Sequence, residues 1–333
     1  MSLRWFHRRA VRIVAGVLLA GFLALNLVAF LHARAMSRFN SAGERTASPE
    51  QLSAAQKAWV LLTGVKLPKP VNARTPRDAG LEFETLTFAG AHGLTLEAWR
   101  VRRTESRGVV VLFHGYSTGK DTLLGAAKEF HALGWETLLV DFHGSGGSAG
   151  SETSVGWHEA ADVAAAFAAA KKSAAGRPVI LYGVSMGAAA VLRAIHALGV
   201  QPEAVVLECP FARLLSTAAN RFHTMRLPAF PLAHLLVFWG GAQQGYNGFA
   251  HNPADYARSV RCPALVLHGA ADARVSVAQL QRVADSLAGP KRVQIFPGVG
   301  HQSYVAARPD EWRAAVGGFL NGLGRLTPAR EAE

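Results

Sequence analysis

Apolar residues fall along this chain in short blocks. From position 81 onward, runs rich in β-branched, leucine and aromatic residues recur: "FETLTF", "LTLEAWRV", "GVVVLFHG", "ETLLVDF", "PVILYG", "AVVLEC", "ALVLHG" and "RVQIF". Runs of this length bounded by Gly, Pro or polar residues predict strands. Alanine-rich segments of helical length lie between several of them, such as "HEAADVAAAFAAAKKSA". Strands apolar on both faces that alternate with helices predict an α/β fold, with a mostly parallel eight-stranded sheet flanked by helices.

The N-terminus carries a different pattern. Ile13–Leu31 reads "IVAGVLLAGFLALNLVAFL", with Asn26 its one strongly polar residue. At about 1.5 Å per residue, this stretch just crosses a hydrocarbon core of about 30 Å, which predicts an N-terminal transmembrane helix. Arginines crowd its front in "RWFHRRAVR" and thin out behind it. By the positive-inside rule, the N-terminus is then cytoplasmic and the rest of the chain extracytoplasmic. The rival is a cleaved signal peptide and a secreted protein, since Ala33–Ala35, "ARA", fits a small-x-small cleavage site. Signal cores usually hold about 7–15 apolar residues, so the longer run favours an uncleaved anchor.

Beyond it, "SPEQ" at Ser48–Gln51 has the form of a capping box and predicts a short amphipathic helix to about Leu62. "KLPKPVNARTP" follows as an extended linker, because its prolines exclude helix. The expected organisation is an anchor at 1–40, a short helix and proline-rich linker at 41–80, a catalytic body at 81–325 and a tail at 326–333. The formal net charge is +12, but seven arginines against Glu44 in the first 45 residues supply half of it. The remainder forms no dense basic block with interleaved aromatics, so nucleic acid is not an expected partner. Cys209 and Cys262 flank strands at opposite ends of a parallel sheet, too far apart to bridge, so free and partly buried thiols are expected.

In such sheets chemistry sits beyond the carboxyl ends of the strands. "YGVSMGAAAV" places Ser185 between a short strand and a helix start, with Gly183 and Gly187 on either side. A turn that sharp exposes a serine hydroxyl and leaves no room for side chains at the glycines. The helix N-terminus also favours developing negative charge there. On this motif alone, a serine that merely caps a helix stays open. A nucleophilic serine needs a base, and the base an orienting acid. Asp272 and His301 each follow a later strand, in "LVLHGAADARV" and "VQIFPGVGHQSY", with Glu208 as the alternative acid. An oxyanion needs backbone donors, and the Met186 and Tyr116 N–H groups are the candidates. A Tyr116 hydroxyl bond to substrate stays open. "VDFHGSGGSAG" approaches a dinucleotide fingerprint, but more loop follows it before the next helix, so Asp141 and Ser148 are expected to fix the loop instead.

With these residues in hand, the chain resembles the α/β-hydrolase superfamily over about Leu81–Leu323. It is most similar to the branch of monoglyceride lipases, lysophospholipases and serine-aminopeptidase-like proteins. The motifs are "FHGY", "DFHGSGGSAG", "GVSMG", "HGAADARV" and "GVGH". The branch commonly has Arg where this chain has His143, at a position that is usually structural. The resemblance implies acyl transfer to water by Ser185, His301 and Asp272, without metal or organic cofactor. It also implies a small helical cap at about 210–261, where Phe211, Phe222, Phe230, Phe238, Trp239, Tyr246 and Phe249 either line an acyl pocket or pack the cap onto the body. The expectation is a monomeric, membrane-anchored serine hydrolase acting on small-molecule esters or lipid-like substrates. A peptidase or amidase on the same triad, or a non-catalytic binding protein on this fold, are the alternatives.

Overall fold

The computed structural model describes residues 3–41, 43–47, 51–90 and 93–323. The expected tail and Ser48–Glu50 lie outside them. All eight apolar runs form strands: β1 (Glu84–Ala89), β2 (Thr95–Val101), β3 (Val109–Phe113), β4 (Glu136–Val140), β5 (Val179–Val184), β6 (Ala204–Glu208), β7 (Ala264–Gly269) and β8 (Lys291–Phe296). They build one sheet in the order β1-β2-β4-β3-β5-β6-β7-β8. β2 pairs antiparallel with β1 and with β4, and every other pairing is parallel, so the sheet is mixed.

The two-residue strand period sorts the core onto two faces. Val109, Val111 and Phe113 of β3 point to one face, toward α4 (Glu159–Ala174) and α5 (Met186–Leu198). Val110 and Leu112 point to the other, toward α3 (Leu124–Ala132) and α11 (Pro309–Asn321). β3 is buried along its whole length, whereas β1, at the sheet edge, alternates half-buried with exposed residues. Cys209 follows β6 and Cys262 precedes β7, and both are free, as their spacing predicts.

The loops after β3 and β4 are tied by a buried lysine. Lys120 is fully buried, with Nζ 2.7 Å from Glu97 Oε1 and 2.5 Å from Asp141 Oδ2, and 4.3 Å from the centre of the Trp99 ring. Asp141 also accepts hydrogen bonds from Asn72 Nδ2 and the Gly147 N–H, and its carbonyl accepts one from Ser148 Oγ. A Cβ at Gly146 would lie 1.9 Å from Asp141 Oδ2, so this turn requires glycine. The carboxylates of Asp141 and Glu97 pack directly against Gly146 and Gly147, which gives these glycines a structural role.

α1 (Leu3–Ser37) is long and apolar enough to cross a membrane. Residues 8–24 are exposed on every side. Farther along, Leu25, Ala29, Ala33 and Met36 turn toward the body at three- and four-residue spacing. There α1 packs against the cap, formed mainly by α6 (Leu214–Thr224) and α7 (Leu232–Gln243). The Trp239 indole N–H donates to Asn26 Oδ1 at 3.2 Å and its ring meets Phe30 edge-on at 5.3 Å. Asn26 Nδ2 donates to Phe22 O, so the polar residue of the span has both its groups satisfied. α7 carries apolar residues toward both α6 and α1, with Phe238 left exposed. α2 (Ala54–Thr63) ends near Leu62 as expected, but its capping box is formed by Ser53 and Gln56.

Removing one partner of a buried charge cluster strands the others, which costs about 3–5 kcal/mol. Urea unfolding should show Lys120→Ala destabilised by about that much, or unable to fold. A loss below about 1 kcal/mol, the scale of a surface ion pair, would show that the lysine does not hold these loops.

Candidate active site

β5 ends one residue before Ser185 and α5 begins one residue after it. Ser185 is forced to φ +52°, ψ −108°, a conformation that L side chains rarely adopt. The surroundings hold it there. Its N–H donates to Glu208 O at 2.8 Å, and its carbonyl accepts from the Ala189 N–H at 3.1 Å. A Cβ on Gly183 would lie 2.7 Å from the Gly187 carbonyl, and one on Gly187 would lie 2.5 Å from Phe113 O. Both glycines are needed for the steric reason their spacing implied, with Gly187 pressed against the end of β3. Ala188, Ala189 and Ala190 are fully buried, so α5 lies close under the turn.

Asp272 and His301 stand on the loops after β7 and β8. His301 Nδ1 and Asp272 Oδ2 are 2.7 Å apart, and Asp272 Oδ1 accepts the N–H groups of Arg274 and Val275 at 2.8 and 2.9 Å. Those bonds hold the Asp272 carboxyl below its ordinary range although burial opposes ionisation. For His301, burial disfavours the imidazolium, while neighbouring Cys209 and the Asp272 carboxylate favour it; the net direction is upward. Ser185 and His301 line one cavity of about 330 Å³, and among the described residues no hydrogen bond yet joins them. A Cys209, Asp272, His301 cluster has donor atoms within 4.8 Å of one another. Sequence spacing marks Cys209 only as a free, partly buried thiol; its position directly after Glu208 at the end of β6 is the signal that it borders the site.

Residues 104–237 match the family model described as serine aminopeptidase, S33. The chain is 25% identical over 250 residues to the uncharacterized protein YqkD of Bacillus subtilis, covering 74% of this chain and 82% of that one. It is 24% identical over 301 residues to the lysophosphatidylserine lipase ABHD12 of Xenopus tropicalis, covering 80% and 76%. Among solved structures, the Pyrococcus furiosus esterase Pf2001 superposes with a TM-score of 0.64 at 23% identity, over 77% of this chain and 96% of that one. The chain has the α/β-hydrolase fold.

Met186 and Tyr116 both line the cavity, and neither N–H is engaged in a described hydrogen bond. The loop carrying Tyr116 is braced by His114, fully buried, whose Nε2 accepts the Phe142 N–H at 3.1 Å while Nδ1 faces Gly115 O at 2.8 Å. The Tyr116 hydroxyl is already engaged: it donates to Met36 O in the last turn of α1. His143, where the resembling branch has Arg, is held 2.6 Å from Asp162 Oδ2, which pushes its pKa up to about 9 despite burial. The cap aromatics do not all take one of their two expected roles. Phe211 and Tyr246 line the cavity, Tyr246 also stacking on Trp157 at 4.6 Å, whereas Phe230 and Phe238 are exposed.

Glu208, the alternative acid, does not reach His301. Its carboxylate accepts from Trp312 Nε1 at 2.6 Å, and burial pushes its pKa up from 4.5 to about 7, over the opposing effect of bonds from Trp312 and Tyr182. A carboxyl raised on folding stabilises below its unfolded value and loses that contribution as pH rises through its folded value. Glu208→Gln should therefore gain stability relative to the parent between about pH 4.5 and 7, by on the order of 2–3 kcal/mol at the upper end. Parallel pH–stability curves for the two proteins would contradict this.

Proposed function

We propose that this chain is a membrane-anchored serine hydrolase that cleaves carboxylic esters bearing an apolar acyl group. The observation that carries this reading is the strained Ser185 turn sharing one mostly apolar cavity with a hydrogen-bonded His301–Asp272 pair. Ser185 Oγ attacks the ester carbonyl while His301 takes its proton, and Asp272 holds the imidazole and stabilises its charged form. The Met186 and Tyr116 N–H groups receive the oxyanion. His301 returns the proton to the leaving alcohol and then activates the water that frees the acid. Residues 81–325 form the catalytic unit, with the cap inserted at 210–261 and residues 1–40 as its anchor.

Relatives named as a lysophosphatidylserine lipase and an esterase support ester chemistry. A peptidase on the same triad is less well served. Glu208 is the one carboxylate on the cavity wall among the described residues, and Trp312 occupies it. A peptide ammonium would find no counter-ion there. An uncleaved anchor is supported by the path of α1, which runs helical through Ala33–Ala35, with Ala33 2% exposed beneath the body, and the arginines ahead of its apolar run favour a cytoplasmic N-terminus. Cleavage there would also remove most of α1 while leaving Met36 and Ser37 to wall the cavity alone.

The base works only when neutral, so kcat/KM for p-nitrophenyl butyrate should fall as pH drops through the His301 pKa. Because that pKa is raised, the acid limb should lie above 6.5. Asp272→Asn should lower kcat by about 10³–10⁴-fold and move the limb downward. A limb at or below 6.5 that ignores Asp272→Asn, or faster cleavage of aminoacyl anilides than of esters, would overturn the reading.

A further inference from the structure

A second cavity of about 190 Å³ lies between α1, α2 and the cap. Leu25, Val28 and Ala29 of α1, Leu61 of α2, and Leu232 and Leu236 of the cap supply apolar walls. Met36, Tyr116, Leu236, Arg221 and Arg274 border both this cavity and the catalytic one, so the two adjoin along a common wall. The position of the second cavity along α1 is the informative feature. Leu25, Val28 and Ala29 belong to the apolar run Ile13–Leu31. If that run spans the bilayer, Ala29 sits about two residues, roughly 3 Å at 1.5 Å per residue, inside its outer end, and Leu25 about 9 Å inside. The second cavity thus begins at the depth of lipid chains and ends at the serine's cavity.

The cap reinforces this placement. Trp239 bonds Asn26, five residues before the end of the run, which brings α7 to the same depth. Phe230 and Phe238 beside it are 73% and 50% exposed, an arrangement suited to an interface between water and lipid. Arg221 and Arg274 stand on the wall shared with the catalytic cavity, so the occupant turns its polar end toward that junction and its hydrocarbon end toward α1.

Resting on the hydrolase reading above, we propose that the second cavity is a lateral portal and acyl-chain groove. Through it, a membrane-resident ester slides along α1 from the outer leaflet to Ser185 without leaving the lipid. The membrane helix is then a wall of the substrate site as well as a tether.

Full-length protein in phosphatidylcholine nanodiscs, given 4-methylumbelliferyl oleate in the lipid and p-nitrophenyl butyrate in water, separates the possibilities. Ala29→Trp fills the groove from α1 and Leu61→Trp fills it from α2. Each should lower the oleate-to-butyrate rate ratio at least tenfold, while Leu23→Trp, on the exposed side of α1, should keep the parental ratio. An unchanged ratio in both groove variants, or a parent that cleaves butyrate but not oleate, would overturn the portal. A parent that cleaves neither ester overturns the hydrolase reading itself.

Discussion

The backbone at Ser185 is the constraint on which this molecule turns. A non-glycine residue held at such a φ costs on the order of 1–3 kcal/mol and persists only where its surroundings over-determine it. Here they do. β5 is buried between β3 and β6, in a register that sets Gly183 beside Phe113 and Leu207. The close approach of Gly187 to Phe113 O leaves α5 no other path. Relaxing any of these would let the turn open and would withdraw the hydroxyl from the cavity that holds His301. The apolar sheet is therefore the means by which burial energy is converted into one strained, half-buried side chain on the cavity wall.

A second dependence runs through α1. One half of the helix is exposed all round, and the other half meets the cap and reaches the cavity wall at Met36. The Tyr116 hydroxyl bond to Met36 O links the loop bearing a proposed oxyanion donor to the end of a helix that can cross a membrane. The end of that helix thus has a hydrogen-bonded link to the loop beside Ser185. Phe238, exposed on α7, extends the same apolar surface, which on the proposed reading makes the bilayer, the cap and the pocket one continuous environment for a hydrocarbon chain.

Much of this was legible in the chain itself, for definite physical reasons. β3 to β7 are buried on both faces and leave uninterrupted apolar runs, β1, β2 and β8 show as β-rich runs bounded by turn residues, and the residues just after β5, β7 and β8 marked Ser185, Asp272 and His301. What escaped were relations between distant segments. No local pattern says that Cys209 borders the Asp272–His301 pair, or that the Tyr116 hydroxyl is used by α1. α7 is apolar throughout, so its sequence has no period from which to read that one side meets α6 and another meets α1. The cap of α2 was misjudged because "SPEQ" and Ser53 with Gln56 offer equivalent chemistry a few residues apart, and local propensity alone does not rank them.

The most direct measurement of the central claim is covalent. A fluorophosphonate reacts with a serine only where a base and an oxyanion site are already assembled around it. Mass spectrometry of the full-length protein after such treatment should find one adduct, on the peptide containing Ser185, and none in Ser185→Ala. No adduct on the parent, or an adduct that persists in Ser185→Ala, would contradict the assignment of Ser185 as the nucleophile.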